Sequence, residues 1–589
     1  MDVRRRRRLG PAGLRGLARA TALAVLAATL TLPGSALART SSVPGSIPQP
    51  EAPAPAAVEQ TAGQLEPEID KAEAIRLART DPKVAEVRGA HGALTASAQG
   101  KPGSWQVDFY AEGTDRLQVI VDDASGAIRE SWTGDQIAWQ MARGYSGQFG
   151  HKLNAPYVWL PLAAIFLFGL LDFRRLRRAA HLDLLVLLSF GISEAYFNAA
   201  DIGVSVPLAY PPLLYLLGRM AWLGFRGPGR GLRPSAPIAW LAVGGAFLLG
   251  FRIALNVADS GVIDVGYAGV IGADHLTHGE TIWGNFPSDN QFGDTYGPFN
   301  YYAYVPFELV LPWSGSWDDL PAAHAAAILF DLATVAGLFM LGRRLRPGAD
   351  GTGLGVILGF AWAAYPFTDY ALQSNSNDTL LAALLVWSLV LFAAPLWRGV
   401  LLALAVAAKF APLPLLPLFA SGQTGFGARA EGSRWARLRP LAAFAAAFAG
   451  VIGVTLALPA IDPGLATFYD RTIKSQIDRT SPFSIWGQDH SLEWLQTAVK
   501  VFAVALAIVV AFVPRRRSLP QVAALAAAVV IAVELASEHW FYLYIPWFCG
   551  LALPAIAFST SRSSSPTASL SSVANGPGRS FAKAAASER

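Results

Sequence analysis

The sequence is short of cysteine: Cys549 stands alone among 589 residues. That excludes an intramolecular disulfide, a cysteine-based zinc site and a thiolate-held cluster, and with them most redox chemistry. Charge is scarce as well. Asp, Glu, Lys and Arg make up 15% of the chain, against about 25% in ordinary soluble proteins. No Walker loop, GxGxxG turn or metal-spaced His/Cys motif occurs, so neither a soluble nucleotide donor nor a metal or other cofactor is expected. The net charge of +5 comes from short arginine clusters lying between apolar runs, without interleaved aromatics. Clusters of that kind report membrane orientation and not nucleic-acid binding.

Apolar length is what the chain has in quantity. It is 53% hydrophobic, and runs of roughly 20 apolar residues recur, which reads as a polytopic α-helical membrane protein in contact with lipid. At the start, the arginines of 4–8 precede the apolar stretch 22–32 and the small residues Ala36-Leu37-Ala38. This reads as a signal peptide over 1–38, with an uncleaved anchor helix as the alternative. Either leaves the following residues outside the cytoplasm. Residues 39–68 are a Pro/Ala/Ser-rich linker without a core. Residues 69–135 change texture: 72–78 has helical apolar spacing, while 105–110, 117–121 and 127–132 read as strands, with Asp122-Asp-Ala-Ser-Gly126 as a turn. The ending Val121-Asp-Asp-Ala-Ser-Gly-Ala-Ile128 resembles that of a PepSY domain, and a generic small α+β domain is the alternative. The unit has no nucleophile, metal or phosphate motif, so binding or regulation suits it better than chemistry.

The arginines orient the membrane part. The span 156–171 runs inward to Arg174, Arg175, Arg177 and Arg178, 182–199 returns, 204–225 comes back to Arg226, Arg230 and Arg233, and 237–257 exits. Spans 156–236 thus precede the core. Segment 298–313 contains Pro306 and tyrosines and is expected to lie as an interfacial helix on the outer leaflet, which keeps Arg343, Arg344 and Arg346 in the cytoplasm. Segment 399–420 has arginines on both flanks, so a re-entrant hairpin broken at Pro412 and Pro414 beside Lys409 is expected. With 322–341, 353–366, 379–395, 441–458, 495–513, 519–535 and 541–557, the count is about eleven spans. The tail 559–589 is expected to be cytoplasmic and disordered.

This topology collects the acidic and aromatic polar residues outside, in loops 258–321 and 459–494 and at Glu538-His-Trp540. Their order resembles the glycosyltransferase-C superfamily, nearest its polyprenyl-phosphate-mannose-dependent branch, over 237–558. The matching pieces are Val262-Ile-Asp264-Val-Gly-Tyr267, Asp294-Thr-Tyr296-Gly-Pro298, Gln373-Ser-Asn-Ser-Asn-Asp378, Lys409-Phe-Ala-Pro412, Ser481-Pro-Phe-Ser-Ile-Trp-Gly487 and His539-Trp-Phe-Tyr542. The resemblance implies a GT-C-like fold and an inverting hexosyltransferase. Its donor would be a polyprenyl-phosphate sugar, mannose first, and its acceptor an extracytoplasmic lipid or polysaccharide.

Transfer from a lipid phosphate needs a carboxylate to take the acceptor hydroxyl's proton. The leaving phosphate already carries charge, so it needs cationic donors and no second acid. Asp264 is the candidate base, seven residues beyond a span; a helix N-cap aspartate is the alternative. Lys409, Arg479 and His539 are the candidate phosphate ligands. A snorkelling lysine, a solvated basic loop and an interfacial aromatic belt are the corresponding alternatives. Asp294 and Tyr296 are candidate acceptor contacts, or else an ordinary turn. Asp331 inside a span is read as bonding a neighbouring helix, and His275 and His278 lack a matched carboxylate for a metal. Two other classes compete. A transporter or flippase of lipid-linked sugars would need midplane charges and repeated halves; a noncatalytic sensor or assembly protein would act through the 69–135 unit.

Overall fold

The computed structural model describes residues 69–134, 137 and 152–558, apart from 102, 112–113, 200, 230, 288–289, 291, 316–319, 427–433, 478 and 480. The expected signal peptide, linker and tail lie outside the described residues.

The first unit is built as its sequence pattern suggests, with two additions. Helices α1 (Lys71–Ala78) and α2 (Pro82–His91) each start on an aspartate that accepts a backbone N–H, the usual N-terminal signal. Four strands follow: β1 (Thr95–Lys101), β2 (Ser104–Ala111), β3 (Thr114–Asp122) and β4 (Ile128–Thr133), an antiparallel meander in the order β1-β2-β3-β4. The sequence reading omitted α2 and β1. In β1, Thr-Ala-Ser-Ala-Gln-Gly-Lys has no large apolar residue to give a period-2 signal. Val107, Phe109, Leu117, Val119 and Val121 form a core with Ala74 and Ala78 that belongs to this unit.

The remainder is helical. In chain order come α3 (Pro156–Leu170), α4 (Ala179–Asn198), α5 (Ile202–Arg226), α6 (Ile238–Asp259), α7 (Asp264–His278), α8 (Pro298–Tyr302) and α9 (Val305–Glu308). These are followed by α10 (Pro321–Leu345), α11 (Gly348–Ala364), α12 (Pro366–Gln373), α13 (Asp378–Val390), α14 (Pro395–Ala408), α15 (Leu416–Ser421) and α16 (Arg434–Thr455). Last come α17 (Glu493–Phe512), α18 (Leu519–Ala536) and α19 (Ile545–Ala557), with only short helical turns between 457 and 492. Among the described residues six helices are long and apolar enough to cross a membrane, and four more are apolar but shorter. This is a multi-pass membrane protein.

Burial separates an inner from an outer set of helices. The window in α18 is 83% buried, whereas that in α16 is 11% buried. Val501, Phe502 and Ile508 on α17 and Trp240 and Phe247 on α6 are exposed. Only a bilayer accommodates so much outward apolar surface on helices whose backbone is already satisfied.

One segment differs in character from the sequence reading. Segment 298–313 is not one surface-lying helix. It breaks into α8 and α9, and all five residues of α8 are buried against α7 and α14; its exit, Leu309, Val310 and Pro312, is exposed. Asn300 and three packed aromatics there suit a protein interior better than a lipid surface. After α14 the backbone becomes extended at Lys409 and the chain doubles back. Phe419 meets Phe392 with ring centroids 5.3 Å apart, and Gly422 lies against the Arg398 guanidinium. Lys409 therefore caps an excursion of roughly 16 Å above Arg398, counted at 1.5 Å per helical residue.

The interior also carries a charge network. Arg252 of α6 is fully buried and bonds Asp331 of α10 (2.9 Å), the carbonyl of Trp362 (3.0 Å) and Asp369 of α12 (3.3 Å). Trp362 donates to the same Asp331 oxygen (2.8 Å), and Gln373 donates to Asp369 (2.8 Å). The neighbouring-helix bond expected for Asp331 is thus to a cation. Arg252→Met is expected to strand two buried carboxylates and destabilise the fold by about 3–5 kcal/mol. Thermal unfolding in detergent micelles checks this, and an unchanged melting temperature would contradict it.

Candidate functional site

The site is assembled by docking two distant loops. The N–H groups of Gly261 and Ile263 donate to the carbonyls of Gln373 (3.3 Å) and Ser374 (3.2 Å). Asn375, in the left-handed region at φ 50°, donates from Nδ2 to Ser260 Oγ and the Gly261 carbonyl, both at 2.9 Å. Its Oδ1 accepts from Asn256 of α6 (2.8 Å). A Cβ on Gly266 would sit 2.2 Å from the Asn375 carbonyl oxygen, so no other residue fits without parting the loops. This contact sets Asp264, the first residue of α7, beside the turn that opens α13. The N-cap itself is Ile263; the Asp264 carboxylate, one residue on, accepts the Val265 N–H, so it serves the helix start as well as facing the neighbouring charges.

Asp264 is accessible, but its accessible surface lies among protein atoms and not on the outside. Burial pushes its carboxyl above the ordinary carboxylate range, and the charge of Arg479, followed by that of Lys409, opposes the rise. Arg479, itself exposed, and Lys409 also act on His539. Burial first, and then those two cations, hold the His539 imidazole well below its usual pKa, so it is neutral. Ser481 Oγ stands 2.8 Å from His539 Nδ1 and accepts the Phe483 N–H (3.3 Å). Its hydroxyl proton is then free to go to Nδ1, which leaves an Nε2–H to donate to a ligand. Burial raises the Tyr296 phenol, and Asp264 adds to the rise. Asp264, Tyr296, Lys409, Arg479 and His539 thus lie within electrostatic reach of one another, and this cluster is the candidate vestibule.

Lys409 is not free within it. Its Nζ bonds Asp378, whose side chain is 1% exposed, and the same oxygen accepts from Trp547 Nε1 (2.8 Å). The ammonium lies 4.9 Å from the Trp547 ring centroid, 5.7 Å from Tyr296 and 5.8 Å from Tyr544. Tyr544 and Trp547 stack at 4.1 Å. Gly297 closes the wall: its N–H donates to the Ala408 carbonyl (3.2 Å), and a Cβ there would meet Ala407 O at 2.1 Å. Asp378 and Ser481 stood within the matching pieces but were given no role in the site by sequence, and Tyr544 and Trp547 were not singled out. One available signal was electrostatic: a carboxylate opening an apolar run and a lysine closing another are each costly unless they meet.

Asp294 departs from its expected part as an acceptor contact. It is 0% exposed, and Arg471 donates to both its oxygens, from Nε at 2.6 Å and Nη2 at 2.7 Å. The Gly284 N–H adds a third bond (2.6 Å). A carboxylate so enclosed anchors loop 279–296 to 470–474 and has no oxygen to spare for a sugar. Tyr296, two residues on, is the one of the pair that reaches the vestibule. Among the described residues no group of three or more His, Cys, Asp or Glu could hold a metal ion. His278 instead pairs with Asp274 (3.1 Å), and His275 lies 3.8 Å from Glu280.

Residues 295–537 match the family model of glycosyltransferase family 87. No curated protein and no solved structure matches the chain. The matched stretch contains Tyr296, Asp378, Lys409 and Arg479, while Asp264 and His539 flank it.

Asp294→Ala is expected to leave Arg471 unpaired, loosen loop 279–296 and cost about 1–3 kcal/mol. Limited proteolysis and thermal unfolding read the change. Unaltered stability with weakened acceptor binding would return Asp294 to a substrate contact.

Proposed function

We propose that this chain is an inverting membrane glycosyltransferase. It moves a hexose, mannose first, from a polyprenyl-phosphate donor to a lipid or polysaccharide acceptor outside the cytoplasm. The observation that carries the reading is the meeting of Asp264, Arg479 and a neutral His539 in one vestibule flanking and within the stretch that matches glycosyltransferase family 87.

In the proposed step, Asp264 takes the acceptor hydroxyl's proton as that oxygen bonds the anomeric carbon. The bond from that carbon to the phosphate oxygen breaks on the opposite face, and its electron pair stays on the phosphate. Arg479 and the His539 Nε2–H meet the charge that develops there, with Lys409 beside them. No proton is needed on the leaving oxygen, which agrees with a site whose histidine is neutral. Tyr296 faces Asp264 and is suited to the acceptor sugar.

Sidedness rests on the arginines. Arg226, Arg343, Arg344 and Arg515–Arg517 end or follow apolar helices at the side away from the vestibule, so the vestibule and the 69–135 unit are external and the C-terminus cytoplasmic. On this reading the chain between Arg398 and Gly422 is a re-entrant hairpin with Lys409 at its tip. The 69–135 unit is a PepSY-like accessory domain that binds or regulates. The Arg252 network does put charges within apolar helices, as a transporter would. Those charges are mutually bonded and packed away from the vestibule, and a fixed internal brace suits them better than a pathway.

Asp264→Asn is expected to abolish transfer from a radiolabelled polyprenyl-phosphate sugar while expression and membrane insertion stay normal; full activity would remove the base assignment. A second outcome follows from the raised carboxyl of Asp264. A base must be deprotonated, so activity falls with acidification at a pH above the ordinary aspartate value of about 4. An acid limb at or below that value, measured on kcat/KM, contradicts this.

A further inference from the structure

Lys409 is the nearest thing in the vestibule to a fixed cation aimed at a phosphate, yet it is already spoken for. Its side chain is 11% exposed, its Nζ is bonded to the buried Asp378 carboxylate, and three aromatic rings surround it. Asp378 is held in turn by Trp547 Nε1, so the carboxylate cannot swing away from the lysine without losing a second bond. Arg479, in contrast, carries no ion pair among the described residues and is exposed to the vestibule. The two cations are therefore not equivalent: one is free for any anion that enters, and the other is restrained.

Resting on the donor reading above, we propose that Asp378 is a positioning residue that holds the Lys409 ammonium back from the donor phosphate until transfer gives that phosphate its second negative charge. The donor is a phosphodiester with one negative charge. When the sugar leaves, the bond's electron pair stays on the phosphate oxygen, and the product monoester carries close to two negative charges. Competition between Asp378 and phosphate for Lys409 thus favours Asp378 at the start and shifts toward phosphate as the bond breaks. An attraction that grows along the reaction raises the rate, whereas one already complete in the bound donor only tightens binding. The same restraint keeps the product from being trapped by a free lysine. The aromatic cage gives the ammonium a second place to rest, over the faces of Trp547 and Tyr296, so its movement leaves no bare charge.

The test is Asp378→Asn in the full-length enzyme, assayed with a polyprenyl-phosphate sugar. Freed from its carboxylate, Lys409 binds the donor outright: KM for the donor falls about fivefold and kcat falls about tenfold. Polyprenyl phosphate becomes a stronger product inhibitor. In a Lys409→Ala background the same substitution no longer lowers KM, a dependence that a merely structural role does not produce. Trp547→Phe, which keeps the Lys409–Asp378 pair but removes the second bond to the carboxylate, moves KM in the same direction by less, and serves should Asp378→Asn fail to fold. An unchanged or raised donor KM in an active, folded variant overturns the inference alone. A wild-type enzyme that forms no glycosidic bond from any lipid-phosphate sugar overturns the donor reading and the inference with it.

Discussion

Everything in the vestibule depends on the contact between the loop before α7 and the turn before α13. Two backbone hydrogen bonds, the side chain of Asn375 and a glycine that admits no Cβ bind these segments, which are more than a hundred residues apart in the chain. The contact brings Asp264 within electrostatic reach of Asp378 and Lys409. Behind it, Asn256 ties Asn375 to α6, and Gln373 donates to the Arg252 carbonyl (3.0 Å) and to Asp369. The buried Arg252 network therefore acts as the foundation of the turn. Charges placed inside an apolar bundle are costly, and here the guanidinium is flanked by two carboxylates and a backbone carbonyl, with one Asp369 oxygen left without a hydrogen bond. Their return is a turn that cannot drift.

The second constraint is how charge is distributed inside the vestibule. Two carboxylates face two cations and an imidazole, and among the described residues Lys409 has a carboxylate partner while Arg479 has none. An entering anion meets Arg479 and a histidine N–H first, with Lys409 in reserve. Burial raises Asp264 above the ordinary carboxylate range against the pull of Arg479 and Lys409, so it holds a proton more readily than a solvated aspartate. Donor anion and base are thus served by the same pair of positive charges.

Much of the architecture could be read from the sequence because bilayer length and arginine flanks are coarse, strong signals. Most of the apolar runs from 156 onward are helices, and many of the polar groups gathered in loops. What escaped were features decided by distant partners. Strand β1 is made of small residues whose place is set by pairing with β2. The segment from Pro298 was read as a surface helix because its proline and tyrosines resemble an interfacial belt, but Asn300, bonded to Asn377 (2.5 Å), draws it inside. Asp294 sat in a stretch that resembled a known family, and its partner Arg471 lies 177 positions away, beyond what local spacing can reveal. Asp264, Tyr296, Lys409, Arg479 and His539 could be picked out of the sequence as candidates, while the pairing that restrains Lys409 could not. That pairing follows from a rule about charge in lipid and not from any motif.

The measurement that bears most directly on this account is a structure of the Asp264→Asn variant with an intact polyprenyl-phosphate sugar bound. The account predicts the phosphate within about 3.5 Å of Arg479 and of His539 Nε2. The anomeric carbon would be turned toward residue 264 and the lipid chain would leave sideways into the bilayer. A phosphate bound elsewhere, or a sugar whose anomeric carbon faces away from residue 264, would contradict it.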